Sequence, residues 1–89
     1  MSDPKLIRKL SYIKRSKNRL KVVYIIGDSR KMPSEIAQEM NLRVNQISAI
    51  LSDLKSENIV YCINEYETKG RFYELTEEGK KAYDIIKTN

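Results

Sequence analysis

Histidine and tryptophan are missing from this chain of 89 residues, and cysteine occurs once, at Cys62. Without an imidazole there is no Ser–His–acid triad, no Cys–His nucleophile and no thiolate–imidazole zinc site. A single cysteine excludes an internal disulfide and fits a reducing compartment. Lying in the apolar run Ile59-Val60-Tyr61-Cys62-Ile63, it reads as a small buried residue rather than a redox switch. Glycine is scarce too. Gly27, Gly70 and Gly79 stand far apart and make no loop able to cradle a phosphate. No apolar run approaches the roughly 20 residues that span a bilayer. The opening Met-Ser-Asp-Pro lacks the apolar core of a signal peptide, so the cytoplasm is the expected location. No catalytic constellation emerges. The expectation is a protein that is not an enzyme and needs no cofactor and no metal.

What is abundant is charge, and it is unevenly placed. The net charge is +5. Residues 1–31 hold ten Lys or Arg against Asp3 and Asp28, an excess of +8, whereas the rest of the chain is at −3. Such asymmetry points to a polyanionic partner met mainly by the N-terminal third. The competing reading is charge that only keeps a small domain soluble. At this length the chain is expected to form one domain, 1–89, with a single modest core.

The most informative stretch runs from Pro33 to Asn58. Pro33 suits the first turn of a helix, and Ile36, Ala37 and Met40 recur at helical spacing. Asn41 tolerates the left-handed conformation that ends a helix, with Leu42 plugging the corner. A second helix follows over 44–57. At about 100° per residue, Val44, Ile47, Ile50, Leu51 and Leu54 share one face. Opposite lies a row of small uncharged residues, Asn45, Ala49, Ser52 and Ser56. A solvated face normally carries long Lys and Glu side chains, whereas short ones let a backbone approach the floor of a DNA major groove. Asn45 and Gln46 can pair bidentately with adenine, Arg43 with guanine, and Ala49 can touch a thymine methyl. A solvated serine-rich face with no task is the bland alternative.

The remaining segments fall into place around this pair. Asp3-Pro4 starts an N-terminal extension helix within 1–15, with Leu6, Ile7, Leu10 and Ile13 on one face and Lys5, Arg8, Lys9, Tyr12 and Arg15 on the other. Ser16 then caps a helix ending at Gly27. Its Val-Val-Tyr-Ile-Ile run is made of strand formers, but cap and terminator favour a helix buried on most of its girth. Gly27 to Met32 reads as a polar loop. Ile59–Ile63 and Arg71–Leu75 read as a two-stranded hairpin turning near Gly70. Thr76 caps a final helix, 76–87, whose apolar stripe is Gly79, Ala82, Tyr83 and Ile86.

The fold class is therefore mainly α with a β-hairpin, in the winged helix-turn-helix order. Ser16-Lys17-Asn18-Arg19-Leu20, Pro33-Ser34-Glu35-Ile36-Ala37, Ile47 to Leu54 and Gly70-Arg71-Phe72-Tyr73-Glu74-Leu75-Thr76-Glu77-Glu78-Gly79 carry a resemblance over 16–79. They resemble small archaeal-type transcriptional regulators related to the multiple-antibiotic-resistance and arsenical-resistance repressor groups. The resemblance implies double-stranded DNA as partner, with Arg43, Asn45, Gln46 and Ala49 facing bases. It also implies phosphate contacts from Ser34, Ser48, Lys69 and Arg71, with Ser16, Lys17 and Arg19 as a further clamp at a helix N-terminus. Each has a rival reading: Ser34 as a cap, Arg71 as partner of a wing glutamate, Ser48 as filler, Lys17 and Arg19 as ordinary exposed charges. A homodimer paired through the N-terminal helix, the C-terminal helix or both is implied as well. Glu65 and Glu67 keep the wing nearly neutral, a departure from a phosphate-seeking hairpin. That favours a rival class, a winged helix used as a protein–protein interaction module in a multi-subunit transcription assembly. Binding to structured RNA is a third reading.

Overall fold

The computed structural model describes residues 3–88. The order is α1 (Pro4–Lys14), α2 (Lys17–Ile26), α3 (Pro33–Met40), α4 (Val44–Ser56), β1 (Val60–Cys62), β2 (Tyr73–Leu75) and α5 (Glu77–Thr88). This is a winged helix-turn-helix, as the sequence predicts. No helix among the described residues is long and apolar enough to cross a membrane.

Local chemistry explains most of the boundaries. The Asp3 carboxylate accepts the Lys5 amide at 3.0 Å and opens α1. Ser16 Oγ accepts the Arg19 amide at 3.3 Å and opens α2, while Gly27, at φ 49°, closes it. The strand formers of α2 are helical because Val22, Val23 and Ile26 are wholly buried, and burial outweighs a weak local propensity. Tyr24 departs from the expected girth of burial and is 57% exposed. At the corner between α3 and α4, Asn41 takes the left-handed conformation and the Leu42 amide returns to the Ala37 carbonyl at 3.0 Å.

One core holds these elements together, built from side chains of every helix and both strands, among them Ile13, Ile26, Ile36, Ile47, Leu51, Leu54, Val60, Leu75 and Ala82. From α4, Ile47, Leu51 and Leu54 enter it and Ile50 packs at its edge. Val44, predicted to join them, is exposed at the start of the helix. The strands are shorter than 59–63 and 71–75, and pair antiparallel with Val60 opposite Leu75 and Cys62 opposite Tyr73. Cys62 is buried, as expected.

The predicted polar loop contributes to the sheet. Lys31 and Tyr73 exchange both backbone hydrogen bonds, at 3.0 and 2.8 Å, so the outer edge of β2 is partly satisfied. Lys9 and Tyr12, assigned by the helical wheel to the solvated face of α1, turn toward the body instead. Lys9 is held at the start of α5, 3.3 Å from Glu78 Oε2, and Tyr12 packs against the core. Thr76 caps the final helix, as predicted, accepting the Gly79 amide at 2.9 Å while its hydroxyl donates to the Asn58 carbonyl at 2.8 Å. Gly79 lets α5 lie on the turn between α4 and β1: a Cβ there would stand 2.1 Å from the Ile59 carbonyl oxygen.

Candidate nucleic-acid interface

The helix expected to read bases presents its small-residue row outward. Asn45, Ala49, Ser52 and Ser56 are all exposed. Of these, Ser56 bonds within its own helix, its hydroxyl donating to the Asp53 carbonyl at 2.7 Å. The row runs along the full length of α4, about 20 Å, and no other element of the fold covers it.

The residues at the N-terminal end of α4 differ in what they have left to offer. Arg43 is the N-cap residue, and its amide donates to Gln46 Oε1 at 3.1 Å. Gln46 thus folds back on the helix start, and a bidentate pair with adenine, which needs its oxygen and its amide nitrogen together, would have to release that bond. Asn45 carries no such obligation among the described residues. Both Arg43 and Asn45 face solvent.

Three of the residues expected to meet phosphates come together. Ser34 in the first turn of α3, Ser48 on the flank of α4 and Arg71 at the base of the wing line one groove of about 370 Å3, joined by Thr68, Gly70 and Tyr73. Ser34 is not the cap of α3, which is Met32, so its hydroxyl is exposed and uncommitted. Ser48 is not core filler, since it is exposed. Arg71 meets no wing carboxylate but donates to two wing carbonyls, Glu67 at 2.6 Å from Nε and Glu65 at 3.0 Å from Nη2. Lys69 is exposed on the same loop but does not line the groove.

The wing closes on itself through a residue that sequence reasoning missed. Asn64 accepts the Phe72 amide at 2.9 Å and donates to the Gly70 carbonyl at 3.1 Å. An Asn six residues before a Gly, flanking a polar turn, is the signal that would have found it. The one lysine of α4, Lys55, pairs with Glu65 of the wing. On the outer face of β1 the Tyr61 hydroxyl donates to Glu74 at 2.8 Å, which holds it above its ordinary pKa of 10.0.

Ser16, Lys17 and Arg19 lie apart from the groove, at the corner of α1 and α2. Ser16 is committed as a cap. Arg19 stacks over the Tyr12 ring at 3.9 Å and donates to the Tyr12 carbonyl at 2.9 Å, so it is no longer an ordinary exposed charge. Lys17 is exposed. Of the other N-terminal cations, Arg30 pairs with Glu74 and Lys31 with Glu39. Lys5 and Arg8 stand around Glu57 and Asn58, at the C-terminal end of α4.

No family model matches this chain, and no curated protein matches it. Solved structures do. The transcriptional repressor BigR from Xylella fastidiosa is 23% identical, with a TM-score of 0.77 over 92% of this chain and 80% of that one. The homodimeric winged helix-turn-helix DNA-binding domain (fragment 1–100) of Mb0332 from Mycobacterium bovis, a possible ArsR-family regulator, is 18% identical, with a TM-score of 0.76 over 99% of this chain and 85% of that one. MepR from S. aureus, in a DNA complex, is 18% identical, with a TM-score of 0.69 over 94% of this chain and 71% of that one. At these identities the likeness establishes the winged helix-turn-helix fold.

Proposed function

We propose that this chain is a sequence-specific double-stranded DNA-binding protein, a transcriptional regulator acting as a homodimer. The observation that carries the reading is the bare, small-residue face of α4, exposed over its whole length. Asn45 and Ala49 read base edges from that face, with Arg43 beside them and Gln46 joining on release of its cap. Ser34, Ser48 and Arg71 hold a phosphate at the groove, with Lys69 beside it. Ser16, Lys17 and Arg19 meet the backbone farther along, Arg19 with whatever donors Tyr12 leaves free. The titles of similar structures lend support, since they include a DNA complex and a homodimeric DNA-binding domain. Kinship with an archaeal-type subgroup rests on the sequence motifs alone.

The dimer is supported by α1. Ile7 is 52% exposed, in a shallow groove that also holds Arg8, Tyr12, Arg15 and Glu57. Apolar surface bordered by charges of both signs suits a two-fold contact, where Arg8 or Arg15 of one copy meets Glu57 of the other. The last helix, α5, is the second element for pairing.

One observation favours a second reading, a protein-interaction module. Tyr61, Ile63 and Tyr66 are exposed on the wing, Tyr66 at 84%, beside Glu65 and Glu67. A salt-titrated gel shift with operator-like duplex, random duplex and structured RNA separates the readings. DNA reading requires tighter binding to the operator-like duplex and a steep fall with salt, because phosphate contacts release counterions. Equal binding to all three, or none, supports the rival classes.

A further inference from the structure

We infer that Lys9 is a positioning residue, tying α1 to the end of the recognition helix so that pairing through α1 sets how two copies of α4 stand on DNA. The inference rests on the dimeric DNA-binding reading above. Lys9 leaves α1 on the side facing the body, and its side chain is 14% exposed. Its ammonium donates to the Glu57 carbonyl at 2.8 Å, 48 residues away in sequence. Glu57 is the C-cap of α4. A cation there satisfies a carbonyl left over by the helix and opposes the negative end of its dipole.

The same ammonium stands 3.3 Å from Glu78 Oε2 in the first turn of α5. That oxygen also accepts Asn58 Nδ2 at 3.0 Å, and the Asn58 carbonyl accepts the Thr76 hydroxyl at 2.8 Å. One mostly buried charge therefore joins the N-terminal helix, the end of the recognition helix and the start of the last helix. The rest of the hold on α1 is apolar, from Ile13, its one fully buried residue, and from Leu6, Leu10 and Tyr12 packed at the edge of the core.

The outer side of α1 completes the argument. The groove beside Ile7 is lined by Glu57 as well as by Arg8, Tyr12 and Arg15. A second copy seated on that groove presses on α1 and on Glu57, whose carbonyl Lys9 holds from within. A shift of the partner that moves α1 is carried into the end of α4 through the bond from Lys9 to the Glu57 carbonyl. Lys9 is not a phosphate contact: its ammonium is turned inward and taken by two oxygens.

The test is competitive selection from duplexes carrying two copies of the half-site preferred by the wild-type protein, at graded separations. The wild type is expected to favour a separation near one helical turn, about 10 base pairs. Lys9→Met should keep the base preference within each half-site yet flatten the dependence on separation about fivefold or more. Lys9→Arg should restore it, since a guanidinium can donate to the same carbonyl. A wild-type separation profile in Lys9→Met, or a loss of base preference equal to the loss of separation preference, overturns the coupling. Should Lys9→Met fail to fold by circular dichroism, Glu78→Gln, which loosens the ammonium without removing it, must show the same flattening to a lesser degree. A wild-type profile there overturns the proposal. If the wild type itself prefers no duplex or no separation, the DNA-binding dimer falls first, and the coupling with it.

Discussion

Asn45 and Gln46 are neighbours of similar chemistry, and the fold gives them different freedom. Asn45 is unencumbered, whereas Gln46 caps its own helix through the Arg43 amide. Asn45→Ala is expected to relax preference at one base position by about 1–3 kcal/mol, read by competition between matched and mismatched duplexes. Gln46→Ala should show in thermal melts as well, through the lost half of a capping box, at about 0.5–1 kcal/mol. Lys17→Ala should weaken all duplexes alike and reduce the salt slope by about 0.9 for one lost phosphate contact. Glu78 gives a prediction in pH. Its carboxyl is held below its ordinary value of 4.5, by the Asn58 hydrogen bond first and by Lys9 next. A depressed carboxylate contributes stability that is present above the unfolded value and lost as pH falls through the folded one. Glu78→Gln should therefore lose less stability than the wild type in melts taken from pH 7 downward through 4.5. Which cations are free was the part of the interface least legible in the sequence. Lys9, Arg19 and Arg71 look alike on a helical wheel or in a motif, but each is bound to a carbonyl brought near by tertiary folding or loop closure.

At the scale of elements, punctuation carried more information than propensity. Asp3, Ser16, Pro33, Asn41 and Thr76 mark boundaries because each satisfies or dispenses with a backbone group at a helix end. Those groups are local, so they are legible in one dimension. The Val-Val-Tyr-Ile-Ile run was ambiguous, since its helical state is decided by burial against five other elements, α1, α3, α4, α5 and β2. The short strands and the Lys31–Tyr73 bridge were not legible, because pairing across 42 residues leaves no periodic trace. The contact of α5 with the turn between α4 and β1 supplies a stability test. Gly79→Ala places a methyl group against the Ile59 carbonyl oxygen, 2.1 Å away, and should cost about 1–3 kcal/mol or more in urea denaturation. Leu51→Ala, which empties the centre of the α4 packing face, should cost about 2–5 kcal/mol. A Gly79→Ala variant as stable as the wild type would mean that α5 does not rest on the turn at Ile59.

For the molecule as a whole, the N-terminal excess of +8 divides once folded. Arg30 and Lys31 are paired with glutamates, and Lys9 is turned inward, while Lys5 and Arg8 gather at the C-terminal end of α4. On the proposed reading, base contacts lie along α4, with a hydroxyl-lined groove on its wing flank and cations near its far end. In a two-fold dimer this arrangement repeats, putting two copies of α4 about 34 Å apart in successive major grooves. The most direct measurement is selection of bound duplexes from a fully random pool. The account predicts one enriched, nearly palindromic sequence whose half-sites lie about one helical turn apart. A pool that stays random after repeated selection, at salt low enough for binding, would contradict it.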